Sequence, residues 1–272
     1  MLLRLFVAVI LSWTAYLRTD GFHQSKIARD LPNAQESFAS DEVLTIISQP
    51  FRYLDKGRQC FVFASEDGRY VLKLFNQSYF QMPWYSFLCF AKELQKRSKR
   101  RTFFESSYEI AFKEFGEEIV HLHMGPSHHL PTKQMQGPAH DSFVINLNEV
   151  PFILQRRGQP FYAGLEWVYQ KEGMQGLYRE IDAFISQIAK RISKHIADAD
   201  VDVEHNWGYV DGKIFHLDPG RLYRDASLAL PMRQNEEGHI ATSRFAKWLK
   251  EKHYEEALQY LENRLSVPEK LY

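Results

Sequence analysis

Apolar and polar positions change rhythm several times along this chain, and each change marks an element. From Phe51 the apolar runs are short and strand-like: Phe51-Arg52-Tyr53-Leu54, then Cys60-Phe61-Val62-Phe63, then Tyr70-Val71-Leu72-Lys73-Leu74-Phe75. The last two flank Asp67-Gly68, a dipeptide suited to a tight hairpin because both residues tolerate a left-handed backbone. Over 102–118 the period lengthens to that of a helix, with Phe104, Tyr108, Ala111 and Phe115 on one stripe. Strand-like pieces return at 119–124, 142–147 and 152–155. A long helix is predicted over 175–195, where Leu177, Ile181, Phe184, Ile188 and Ile192 share a face. A second Asp-Gly pair, Asp211-Gly212, centres a strand–turn–strand pattern over 207–217. Two amphipathic helices follow near 242–250 and 253–265. Strands first and helices afterwards predict an α+β protein, and the chain carries no internal repeat.

The first residues obey another rule. Leu5 to Leu17 form an uncharged run of 13 residues, which suits a signal-peptide core and is shorter than the ~20 residues a spanning helix needs. No Ala-x-Ala cleavage pattern closes it. Arg18, Lys26 and Arg29 follow the run and only Arg4 precedes it, a balance that favours a cytoplasmic body under the positive-inside rule. The expectation is an N-terminal hydrophobic helix that attaches the protein to a membrane, then a polar linker to about Ser40. Export of the body and a buried N-terminal helix are the alternatives.

Composition narrows the classes. The 272 residues carry 34 Lys+Arg and 34 Asp+Glu, so binding nucleic acid through bulk positive charge is excluded and no nucleic-acid partner is expected. Two cysteines, Cys60 and Cys89, cannot build a disulfide framework or a cysteine-rich zinc site. Neutrality conceals one local exception. Lys92, Lys96, Arg97, Lys99, Arg100 and Arg101 follow Trp84-Tyr85-Ser86-Phe87-Leu88-Cys89-Phe90, and aromatics beside a basic run suit an anionic membrane surface. A solvated charged face is the plainer reading. His121-x-His123 and His128-His129 are near enough to share a metal, but no carboxylate or cysteine is spaced beside them as such a site requires.

Order along the chain carries the chemistry. A glycine turn after the first strand, Asp55-Lys56-Gly57-Arg58-Gln59-Cys60, leads into a hairpin whose far strand holds Lys73. Far downstream Asp198, Asp200 and Asp202 precede Asn206, and the second hairpin delivers Asp218-Pro219-Gly220. This sequence of parts resembles the protein-kinase-like fold over roughly residues 51–222: glycine loop, strand lysine, catalytic Asp and Asn, metal Asp. It is similar to small bacterial kinase-like proteins with a reduced second lobe. The resemblance implies a two-lobed fold, with an antiparallel β-rich N-lobe over 41–158 and a compact, mainly helical C-lobe over 159–272, preceded by the anchor and linker of 1–40.

It also implies ATP and Mg2+ as cofactors and phosphoryl transfer to a hydroxyl of a protein or small-molecule substrate. Lys73 would hold the phosphates beside the Gly57 turn, and Glu105 or Glu109 would pair with Lys73. Asn206 and Asp218 would bind magnesium through hard oxygen ligands. Asp200 is nearest the family's spacing for the base, one residue further from Asn206 than the pattern has it, and Asp198 and Asp202 stay open.

The departures from the pattern are specific. Of Gly-x-Gly-x-x-Gly only Gly57 survives, and Asp55 sets a carboxylate where phosphate would approach. No His-Arg-Asp triplet precedes Asn206, Pro219 replaces the Phe of the metal motif, and no Ala-Pro-Glu follows. Leu217-Asp218-Pro219-Gly220 also spells a type II turn. The alternative functions are therefore a catalytically inactive, pseudokinase-type interaction module, and an anchored α+β domain with no nucleotide site.

Overall fold

The computed structural model describes residues 16, 18–80, 90–116 and 118–266. Apart from Tyr16, the apolar run of the N-terminus lies outside the described residues, as do Trp84-Tyr85-Ser86-Phe87-Leu88-Cys89. Among the described residues no helix is long and apolar enough to cross a membrane. The chain is an α+β protein that divides into two compact units. One holds the described residues up to Thr102 together with Ile119–Arg157, and the other holds Phe103–Glu118 and the residues from Gly158 on.

The first unit is built on one seven-stranded sheet. Its strands are β1 (Phe51–Lys56), β2 (Cys60–Ser65), β3 (Tyr70–Phe75), β4 (Ile119–His123), β5 (Thr132–Gln136), β6 (Ser142–Asn146) and β7 (Phe152–Arg156), in the spatial order β4-β7-β3-β2-β1-β5-β6. Neighbours run antiparallel except β1 and β5, which pair in parallel through Phe51↔Met135 and Arg52↔Gln136. The sheet is thus mixed, and the expectation of an antiparallel lobe is corrected at that one seam. Helix α1 (Asp41–Ser48) begins at Ser40, whose side chain accepts the Val43 N–H, and Asp41 and Glu42 favour its positive end. It buries Val43, Ile46 and Ile47 into the same core as Phe61, Phe63, Leu72, Leu74, Phe152 and Leu154.

The stretch read as a polar linker is tied into this core. Ile27 is 2% exposed, the Ala28 N–H donates to Phe75 O at 2.9 Å, and Phe22 meets Phe61 edge-on at 5.0 Å. Apolar residues spaced singly among polar ones leave no periodic signal, which is why pattern alone reads the segment as a linker.

Helix α2 (Phe90–Phe115) contributes residues to both units. It starts a dozen residues before the apolar stripe does, because its first half is dominated by charge and has no apolar face to read. In the second unit, α3 (Phe161–Ser193) is interrupted at Gly173, whose φ of 64° and ψ of −150° lie outside the helical region. Glycine alone adopts that conformation freely. Helices α4 (Pro231–Glu251) and α5 (Glu255–Leu265) complete the core with Phe245, Leu249, Ala257 and Leu261 packed on Leu177, Ile181, Phe184 and Ile188. Pro231 opens α4 at the first helical position, a start signal the apolar spacing of 242–250 does not report. Two small sheets complete the unit. One pairs β8 (Gln159–Pro160), β10 (Trp207–Val210) and β11 (Lys213–His216), and the other pairs β9 (Ile196–Asp198) with β12 (Leu222–Arg224).

Candidate functional site

In the second unit, backbone pairing draws the distant aspartates together. The β10–β11 hairpin returns the chain to its own start, so Asn206 just before it and Asp218 just after it become neighbours. Asn206 O accepts the N–H groups of both Leu217 (2.7 Å) and Asp218 (3.2 Å), and Trp207 stacks on His216 at 4.6 Å and 6°. The β9–β12 ladder then sets Asp198 opposite Leu222, and Ala199 N–H bonds Arg221 O at 3.1 Å.

The loop between β9 and Asn206 winds on its own side chains. Asp200 N–H donates to Asp198 Oδ1 at 2.9 Å, Asp202 N–H to Asp200 Oδ1 at 3.2 Å, and Asn206 Nδ2 to Asp200 O at 3.2 Å. Such local bonds are why Asp and Asn favour turns over regular elements. Gly220 is absent from the positive-φ residues, so the type II turn spelled by Leu217-Asp218-Pro219-Gly220 does not form. The closing bond is Leu222 N–H to Pro219 O instead.

The three aspartates are not equivalent. The Asp198 side chain is 8% exposed and lies 3.4 Å from His216 Nε2. Burial, reinforced by the charges of Asp200 and Asp218, pushes its carboxyl up to about 6 against the pull of Arg191. Asp200 is half-buried two residues past the end of β9, and Asp202 pairs with His205 Nδ1 at 3.0 Å. Beneath the loop, Glu237 of α4 accepts both Arg191 Nη1 (2.7 Å) and the Asp198 N–H (3.1 Å), while Arg191 also donates to Ile196 O at 2.9 Å. Sequence reading missed this buried pair. Its only signal is a charge on the apolar face of each helix.

Lys73 and Gly57 belong to the first unit. Lys73, 8% exposed, stands mid-strand on β3, opposite Val62 of β2 and Ile153 of β7. The Gly57 N–H closes the β1–β2 turn on Cys60 O at 3.0 Å. A Cβ at Gly57 would meet only that oxygen, at 3.7 Å, so the chain's own packing does not demand glycine there. Glu105 and Glu109 lie in the half of α2 assigned to the second unit.

The other sequence candidates fare differently. His121 and His123 share one face of β4 with ring centres 5.9 Å apart, and both are buried. Burial, with charge repulsion from His129, holds the His121 ring down at about 4; burial, with repulsion from His121, does the same to His123. Among the described residues no three His, Cys, Asp or Glu side chains are placed to hold a metal ion. In the basic run, Arg97 donates to Ser78 O, Arg101 pairs with Asp30, and Arg100 lies over the Tyr79 ring at 5.7 Å. Three of those cations are thereby engaged within the first unit, while Lys96 and Lys99 face solvent.

No protein-family model matches this chain, and no curated protein matches it. Among solved structures, one of WbdD, described as a bifunctional kinase-methyltransferase, aligns with 82% of this chain and 48% of its own at 15% identity and a TM-score of 0.40. A high-resolution WbdD structure aligns with 81% and 47%, at the same identity and TM-score. The chain spans about half the length of WbdD. Similarity at this level carries no argument about chemistry, which rests on the residues themselves.

The donor set suits magnesium. Mg2+ is held by one or two protein oxygens, with substrate phosphates and water completing its octahedron, so a full protein cage is not needed. Asn206 commits its Nδ2 to Asp200 O, so Oδ1 is the atom that would ligate a cation. Asp218 offers Oδ2, its Oδ1 being engaged by Tyr108 at 2.8 Å.

Proposed function

We propose that the protein is a kinase-like phosphotransferase that binds Mg-ATP and passes a phosphoryl group to a hydroxyl of its substrate. One observation carries the reading: the loop after β9 and the β10–β11 hairpin lock Asn206 and Asp218 backbone to backbone, with Asp200 bonded to Asn206. That arrangement supports the order of chemistry-bearing residues from which the kinase resemblance came. Mg-ATP, when bound, supplies the transferable phosphoryl group and the charge neutralisation it needs. Within the chain, Asn206 and Asp218 hold the cation, and buried Lys73 holds phosphate oxygens as a fixed positive charge. Asp200 takes the proton of the attacking hydroxyl, and the glycine at position 57 lets phosphate approach the backbone. Membrane attachment through Leu5–Leu17 belongs to the same proposal, and fractionation of cells expressing the full chain tests it: recovery in the soluble fraction would exclude attachment.

Calorimetric titration with Mg-ATP tests the site. Binding should weaken at least about tenfold, roughly 1.4 kcal/mol, on Lys73→Ala and on Asp218→Ala. A folded chain whose melting temperature does not move at millimolar Mg-ATP would sink the reading. A second reading, a nucleotide-binding module without catalysis, is favoured by Asp55, whose carboxylate caps the Lys56 N–H inside the glycine turn at 2.7 Å and would repel phosphate. Binding without any ATP turnover would select it.

A further inference from the structure

Helix α2 reaches the aspartate cluster through two consecutive side chains. Ser107 Oγ donates to Leu222 O at 2.7 Å and Tyr108 Oη donates to Asp218 Oδ1 at 2.8 Å. Both residues are wholly inaccessible to solvent, and the Tyr108 ring is held edge-on by Phe104 at 4.9 Å. A buried hydroxyl on a helix, fixed by ring packing, is a directional donor with little freedom to swing. A carboxylate that accepts such a bond through one oxygen loses rotation about its terminal torsion, and its second oxygen is left facing one way. From this geometry we infer that Tyr108 is a positioning residue for the cation: by occupying Oδ1 of Asp218, it presents Oδ2 to a divalent metal as a single-oxygen ligand.

The inference rests on the reading of Asp218 as a metal ligand and adds to it a residue that no spacing rule points to. Chemistry sets the consequence. A carboxylate free to rotate can offer both oxygens to one ion, which suits a larger cation with flexible coordination; a carboxylate held by one oxygen suits the compact octahedron of Mg2+. Loss of the Tyr108 hydroxyl should therefore weaken metal affinity and also shift preference from Mg2+ towards Ca2+. A hydroxyl that merely stabilised the fold would move neither.

The test uses the full chain saturated with ATP, and follows Mn2+ binding by electron paramagnetic resonance with Mg2+ and Ca2+ as competitors. Tyr108→Phe removes one oxygen and keeps the ring packing, and its melting curve is recorded alongside. We expect Mn2+ affinity to fall about tenfold, as for loss of a hydrogen bond to a charged group, and the Mg2+-to-Ca2+ preference to fall with it. Ser107→Ala, which cuts the neighbouring bond from the same helix, should leave metal affinity within about twofold. In an Asp218→Asn background, Tyr108→Phe should add no further loss, since its effect passes through that carboxylate. Wild-type metal affinity in Tyr108→Phe, with Asp218→Asn defective, would overturn the inference and leave the site reading standing. An equal loss in Ser107→Ala, or additive losses in the double variant, would overturn it too. If Asp218→Asn binds Mn2+ as wild type does, Asp218 is not a ligand, and the site reading falls together with the inference.

Discussion

Each unit buries a polar cluster, and the two are built on opposite plans. In the first unit His121 and His123 project from a strand into apolar layers, and His123 lies flat on Phe152 at 4.8 Å and 19°. They are packed as rings, and burial holds them neutral. In the second unit Asp198 sits where a strand gives way to a loop, with the Asp200 N–H, His216 and the Arg191–Glu237 pair around it. A strand spends its backbone groups on its neighbours, so a polar side chain it buries gains shape and few partners. A loop has backbone N–H groups to spare, and turns them onto carboxylates. Burial alone therefore does not mark a site; burial among aimed donors does.

The sharpest way to break this contrast is to remove the groundwork beneath Asp198. Glu237→Ala strips Arg191, 3% exposed, of its charge partner and leaves the Asp198 N–H unmet. Breaking a buried ion pair from one side costs about 3–5 kcal/mol, and urea denaturation should report a loss of that size. The double variant Arg191→Met/Glu237→Leu should recover part of it, since no uncompensated charge remains. A loss below about 1 kcal/mol for Glu237→Ala would mean the pair is not holding the loop.

The next effect is on pH dependence, where the two clusters pull in opposite directions. Each histidine moves from 6.5 to about 4 on folding, so between those values the unfolded chain binds more protons. Their contribution is present above pH 6.5 and is lost as pH falls towards 4. Asp198 moves from 3.8 to about 6, so in that window the folded chain holds the extra proton. Its contribution is present below pH 3.8 and is lost as pH rises through 6. Asp198→Asn should thus raise stability at pH 7.5 relative to pH 4 by up to about 3 kcal/mol. Replacing both histidines by Phe should flatten the acid side of the profile. Unfolding curves at pH 4.5, 6 and 7.5 check both; a profile unchanged by either replacement would remove the basis for the contrast.

The same division governs what could be read from the sequence. Elements with a repeating apolar signal were legible: β2, β3, β7, the 207–217 hairpin and the second half of α3 all follow alternation or helical spacing. Elements without such a signal were not. The charged first half of α2 has no stripe, β5 alternates too weakly, and β9 and β12 are three residues each. At the site, residue types and order put Asn206 and Asp218 forward. Their juxtaposition depends on backbone bonds from Asn206 O, which side-chain identity does not encode. The helical stripe marks Tyr108 as a core position, and its ring is one; only its hydroxyl reaches Asp218. Glu237 and Arg191 gave no signal beyond a charge on an apolar face.

The smallest expected effect concerns the two Asp-Gly hairpins. Asp211 (φ 49°) and Gly212 (φ 76°) form a two-residue turn with both centres left-handed, closed by Val210↔Lys213. Asp67-Gly68 sits in a longer loop in which only Gly68 (φ 70°) is left-handed, and the Asp67 carboxylate does the shaping by accepting from Ser65 Oγ and Arg69 N. A Cβ at Gly212 would meet nothing within 4 Å, so Gly212→Ala adds backbone strain without a clash, about 1 kcal/mol. The bonds from Asn206 O lie at the opposite end of that hairpin. Mg-ATP affinity should therefore change by less than about twofold while stability falls, a difference of under 0.5 kcal/mol at the site. Asp67→Ala, in contrast, removes the acceptor of the bonds from Ser65 Oγ and Arg69 N that shape the longer loop, and should cost its hairpin about 1–2 kcal/mol. A loss for Asp67→Ala below about 0.5 kcal/mol, measured by urea denaturation, would show that the backbone and not this carboxylate shapes the longer loop.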